Sequence, residues 1–273
     1  DYNMGVAIFS LEMSSVQLVK RLISSEARID AEKLRKGNLA DHELEQIHAR
    51  IKKLATAPIF IDDTPGISIF ELRAKCRRMK LKHDIQLVII DYLQLMTAGT
   101  GKGAGNREQE ISQISRSIKE IAKELNVPVI ALSQLSRSVE QRGGDKRPVL
   151  SDLRESGAIE QDADIVSFIY RAEYYGLLED ANGRPTQGVG DIIIAKHRNG
   201  ATDTVSLKFV GKFARFENLD NFAVDEDYPT NALSPVSNFD QEQPLTTITR
   251  SSKMDDFNDD FDLGNNVNDD VPF

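Results

Sequence analysis

The stretch Gln86–Leu95, QLVIIDYLQL, decides how the rest of the chain is read. Leu87–Ile90 is a short unbroken apolar run, closed by Asp91. Such a run suits a strand buried on both faces, as in a parallel sheet, although periodicity alone leaves a buried helix open. Open α/β sheets bind ligands beyond the carboxyl ends of their strands. Asp91 stands at that place. It either caps the following turn or holds Mg²⁺ on a nucleotide, as strand-end aspartates do in phosphoryl transfer.

Working outward, Gly5–Leu11 reads as a first strand with Glu12 just past its end. Ser14 and Ser15 suit a helix cap, and Val16, Val19, Leu22 and Ile23 recur at helical spacing. Ile29–Lys36 reads as a short helix stopped by Gly37, and Asp41 as the cap of the next helix. Pro58–Asp62 is a second strand. Ile69, Leu72, Cys76 and Met79 make one helix face. Arg107–Leu125 is the clearest helix, with Ile111, Ile114, Ile118 and Ile121 in a stripe. Val127–Ser133 follows as a strand ending at Gln134, and Leu135–Lys146 is polar, basic and flexible in character. Val149–Gln161 is helical with a break near Gly157, and Ile165–Tyr170 is a strand. Asn199–Gly200 marks a hairpin turn between Asp191–His197 and Thr202–Phe209, and Lys212–Glu217 adds a short last strand. Alternating strands and helices followed by a hairpin predict an α/β fold, mainly parallel with an antiparallel edge.

Charge divides the 273 residues into two parts. From Asp220 onward there are 13 acidic and 2 basic residues; the remainder holds 30 and 32. The net charge of −9 therefore belongs to the tail, whose Asn, Asp, Ser and Pro content predicts disorder over 220–273. Residues 1–219 are nearly neutral, which excludes a broad basic nucleic-acid surface but leaves room for a local one. Cys76 is the sole cysteine, so no internal disulfide can form. No apolar run approaches the ~20 residues that span a bilayer. With Asp1 in place of Met and a strand beginning almost at once, the text reads as a fragment.

Glu12, Asp91 and Gln134 each follow a predicted parallel strand. Side chains at one sheet edge can converge though far apart in sequence. Two carboxylates and an amide there suit NTP hydrolysis, one for metal, one for water and one for phosphate. Ordinary turn residues would look the same one at a time.

Five stretches carry a resemblance: FSLEM (Phe9–Met13), IDYLQLM (Ile90–Met96), SRSIKEIAKELNVPVIALSQLSR (Ser115–Arg137), SDLRESGAIEQDAD (Ser151–Asp164) and AKHRNG (Ala195–Gly200). In this order they resemble the bacterial replicative DNA helicases, the DnaB family. The resemblance runs over roughly Val6–Glu217 and separates this text from recombinase-type RecA-like ATPases. It implies a RecA-like ATPase domain, ATP and Mg²⁺ as ligands, a ring homo-hexamer on single-stranded DNA, primase and helicase-loader partners, and a bacterial cytoplasmic setting. Carried over by residue, Glu12 polarises the attacking water, Asp91 holds Mg²⁺ and Gln134 senses the γ-phosphate. Lys196 and Arg198 enter the neighbouring subunit's site, and Arg21 approaches the nucleotide. Arg154, Glu155 and Gly157 form the loop that holds the DNA backbone; the 99–106 and 135–146 loops would face the same channel.

The family's phosphate loop has no match, since no G-x-x-x-x-G-K-S/T occurs. Gly99–Gly105, GTGKGAG, lacks Ser or Thr after Lys102. The chain alone is thus expected to hydrolyse almost no ATP, and an assembly-only role stays open for it. The tail's end, with acidic clusters before Pro272–Phe273, is similar to the acidic tip of bacterial single-stranded-DNA-binding protein and suggests a docking peptide; a solvated acidic tail is the plainer alternative.

Overall fold

The computed structural model describes residues 2–99, 107–180 and 182–219, and at 154–156 the backbone only. The glycine-rich residues 100–106 and the tail from Asp220 to Phe273 lie outside the described residues. In chain order the elements are β1 (Gly5–Ser10), α1 (Ser15–Ala27), α2 (Ala31–Lys36), α3 (Asp41–Thr56), β2 (Ile59–Asp62), α4 (Ile69–His83), β3 (Ile85–Asp91) and α5 (Arg107–Leu125). They continue with β4 (Val129–Ala131), α6 (Ser138–Gln141), α7 (Gly157–Asp162), β5 (Ile165–Tyr170), β6 (Val189–His197), β7 (Asp203–Val210) and β8 (Arg215–Glu217).

The described strands form two sheets. One is parallel, ordered β2-β1-β3-β4; the other is antiparallel, ordered β5-β6-β7-β8. The antiparallel part is thus as large as the parallel part. β5 joins it because β6 returns beside it through the 177–188 loop.

The main core lies on one face of the parallel sheet. Phe9, Val88 and Ile90 meet Leu72 and Cys76 of α4 and Ile114 of α5. On the opposite face Val6, Ile8, Leu87 and Ile89 are only half-buried. An apolar run cannot tell whether its second face is covered, which is why burial on both faces is not what the structure shows. β4 and β5 carry exposed apolar side chains, Ile130 on one and Ile165 and Ile169 on the other. A smaller core of Leu153, Val166 and Phe168 packs against the antiparallel sheet.

Local chemistry explains the helix ends. Ser14 and Gln17 form a reciprocal capping box at α1, and left-handed Gly37 ends α2. At α3 the cap differs from the expectation. Asp41 is the first helical residue, and the Ala40 N–H donates to the Glu43 carboxylate at 2.9 Å. Val16 and Val19 are exposed; α1 packs through Ser24 and Ala27 instead. β8 ties the antiparallel sheet to α1, with Arg215 donating to the Ser25 carbonyl at 2.9 Å and Glu217 paired to Arg28 at 2.9 Å.

The 135–146 segment is anchored rather than free. α6 buries Val139, the Ser136 N–H donates to the Asp152 carbonyl at 3.0 Å, and Arg142 pairs with the buried Asp152 carboxylate. Asp152 also accepts from the Val149 N–H at 2.8 Å. No helix among the described residues is long and apolar enough to cross a membrane.

Candidate active site

Parallel pairing brings the strand ends together. Ser10 stands opposite Asp91, and the Leu11 N–H donates to the Asp91 carbonyl at 2.7 Å. Glu12 follows on a short turn held at both ends. The buried Ser10 hydroxyl donates to the Met13 carbonyl at 2.8 Å, and the Ser15 N–H donates to Asp63 at 2.8 Å. That N–H holds the Asp63 carboxyl below its ordinary range. On the other side β4 continues past Ala131 by main-chain bonds: the Leu132 N–H donates to the Ile90 carbonyl at 2.9 Å, and the Leu93 N–H to the Leu132 carbonyl at 3.0 Å.

The outcome is one cleft of about 270 Å³ lined by Glu12, Asp91, Tyr92, Leu132, Ser133 and Gln134. Its donor set is two carboxylates, two hydroxyls and an amide, all oxygen-bearing, as a hard cation with phosphate ligands requires. Among the described residues no three His, Cys, Asp or Glu side chains cluster as a metal site. That composition fits Mg²⁺ carried in on a nucleotide, which binds through one or two carboxylates plus phosphates rather than an all-protein cage. A second cleft of about 190 Å³, lined by Leu135, Val139, Pro148 and residues 169–171, 174 and 175, contains no carboxylate and offers a metal nothing.

Of the other candidate residues, Arg21, Lys196, Arg198 and Gly157 lie elsewhere. Arg21 is exposed on α1 and does not line the cleft. Lys196 and Arg198 also lie outside it. Both reach the last carbonyls of α7: the Lys196 ammonium donates to the Glu160 carbonyl, and the Arg198 guanidinium to the Gln161 carbonyl at 3.0 Å. Arg198 also pairs with Asp164 at 3.2 Å. Lys119 holds the Asp164 carboxyl below its ordinary range, with Arg198 adding to the effect. Gly157 opens α7 at φ −51°, and a Cβ there would meet nothing within 4 Å. Among the described residues, neither backbone strain nor packing demands glycine there. The backbone of Arg154 and Glu155 runs in the 3₁₀ stretch Leu150–Ser156 just before it; their side chains lie outside the described residues.

A family model, the DnaB-like helicase C-terminal domain, matches residues 1–218. The replicative DNA helicase DnaC of Bacillus subtilis is 52% identical over 228 residues, 84% of this chain and 49% of that protein. The chain belongs to the DnaB-like helicase C-terminal domain family. The DnaB helicase of Geobacillus stearothermophilus is 50% identical over 84% of this chain and 49% of its own length. The chain thus spans about half the length of these curated relatives. Among solved structures, an isolated ATPase domain aligns with a TM-score of 0.72 at 42% identity, over 80% of this chain and 75% of that one. A DnaB-like replicative helicase, solved together with its interactions with primase, aligns at 0.71 and 42%, over 80% and 51%.

Two groups at this cleft escape a reading by sequence. Tyr92 and Ser133 line the cleft but stand in the motif text as mere neighbours of Asp91 and Gln134. Their only signal is adjacency to a strand end.

Proposed function

We propose that this chain is the ATPase motor domain of a replicative DNA helicase that unwinds duplex 5′–3′. The gathering of Glu12, Asp91 and Gln134 at one carboxyl-edge cleft carries that reading. Asp91 would hold Mg²⁺, which supplies neutralisation of phosphate charge when Mg-ATP is bound. Glu12 orients and polarises the water, taking its proton. Gln134 senses the γ-phosphate side through its amide. Lys196 and Arg198, two apart at the end of β6, serve the neighbouring protomer's site; a basic group supplied in trans stabilises charge only in the assembled ring.

Arg154, Glu155 and Gly157 would take the DNA backbone. The open space beside Gly157 among the described residues leaves room for a phosphate to approach the backbone there. One such contact per protomer, repeated around a homo-hexamer, tracks single-stranded DNA without a basic surface. Primase and a helicase loader are the proposed partners, and the bacterial cytoplasm at the fork the proposed place. The motor domain covers 1–219, followed by the acidic segment 220–273, whose Phe273 tip is a candidate docking peptide beside the plainer reading of a solvated tail. The phosphate loop is not in this text, so hydrolysis is assigned to the product of the complete reading frame.

Co-expressing two defective forms of that full product tests the trans assignment. Arg198→Ala and Glu12→Gln should each retain nucleotide binding and lose DNA-stimulated hydrolysis more than tenfold. In an equal mixture, about a quarter of sites pair an intact Glu12 with a neighbour's intact Arg198, and turnover returns in proportion. Mixed rings as inactive as either parent would overturn the assignment.

A further inference from the structure

Gln94 lies two residues beyond the cleft residue Tyr92, in the 3₁₀ turn Leu93–Leu95. Its side-chain amide meets the main chain of Gln134 from both directions. The Gln134 N–H donates to Gln94 Oε1 at 3.2 Å, and Gln94 Nε2 donates to the Gln134 carbonyl at 3.3 Å. Nε2 also donates to the Ser133 hydroxyl at 2.9 Å. Only one orientation of the amide satisfies all three, because a peptide N–H needs an oxygen opposite it.

These bonds begin where the regular ladder stops. Main-chain pairing between β3 and β4 ends with Leu132, and the Gln94 amide then acts as a substitute peptide group for Ser133 and Gln134. Gln94 is itself gripped from behind, since Arg107, the first residue of α5, donates to its carbonyl and to that of Met96.

We propose that Gln94 is the positioning residue of Gln134: its amide fixes the main chain at the cleft so that the Gln134 side chain reports on bound phosphate. It touches neither nucleotide nor metal and works only through Gln134. The inference rests on the reading of Gln134 given above.

The test is a double-mutant cycle on DNA-stimulated ATP hydrolysis by the full product, using Gln94→Met, Gln134→Ala and the pair. Gln94→Met keeps length and removes every bond. It should lower the ratio of DNA-stimulated to DNA-free turnover about tenfold, and the double variant should be no worse than Gln134→Ala. Independent, multiplying losses would overturn the proposal, as would an unchanged ratio in Gln94→Met. If Gln134→Ala itself keeps full stimulation, the sensing role falls and the proposal falls with it. Gln94→Glu covers the case of a poorly folded Met variant. It keeps the acceptor for the Gln134 N–H but sets a carboxylate against the Gln134 carbonyl. It should likewise lower the ratio of DNA-stimulated to DNA-free turnover, since a carboxylate cannot donate; an unchanged ratio in Gln94→Glu counts against the role.

Discussion

Burial pushes the Cys76 thiol up to about 12, with Asp62 nearby adding to the shift. The thiolate is the nucleophile, so the folded chain should resist iodoacetamide at pH 8 and label only after denaturation. Rapid labelling of native protein would show that the α4 face opens. The fold favours the neutral thiol, so this contribution is intact below the ordinary value of 9.0 and is lost between there and about 12. At this scale the sequence reveals what sits at strand ends. Glu12, Asp91 and Gln134 are legible because each follows an apolar run, and parallel strands deliver such residues to one edge. Gln94 is not legible, because its partners, the Gln134 main chain and the Ser133 hydroxyl, lie two elements away and are supplied only by the folded register.

Elements divide in the same way. α5 is readable from its isoleucine stripe, since burying one face needs just that spacing. The 135–146 segment reads as loose because its anchor, Asp152, is remote in sequence. Asp152→Ala should cost about 1–3 kcal/mol by stranding the Val149 N–H. Arg142→Ala should cost at least as much, although the Arg142 side chain is 36% exposed, because it leaves a carboxylate that is 2% exposed without its cation. Urea unfolding of the two variants measures both costs. An unmoved midpoint in Asp152→Ala would mean that this link does not stabilise the fold. The extent of the antiparallel sheet was legible only in part. The Asn199–Gly200 turn announces one hairpin, whereas nothing local says which partner β5 takes.

For the whole molecule, the uneven charge makes a prediction. Ending the chain after Leu219 removes a net eleven negative charges. In the full product, this truncation should leave the thermal midpoint in place and tighten single-stranded DNA binding at low salt, with the gain vanishing as ionic strength rises. A lowered midpoint would make the acidic segment part of the folded unit.

The two walls of the cleft are not built alike. β1 and β3 run side by side from Gly5 to Ser10 and are joined again by Leu11, whereas the β3–β4 ladder over Val129–Ala131 is extended by Pro128 and Leu132 and then passes to the Gln94 side chain. The carboxylates thus follow strands joined by main-chain bonds, whereas the last tie between Gln134 and the sheet is a side chain. A change at the one side chain of Gln94 therefore reaches the amide's wall of the cleft while the pairing that carries the carboxylates stays intact.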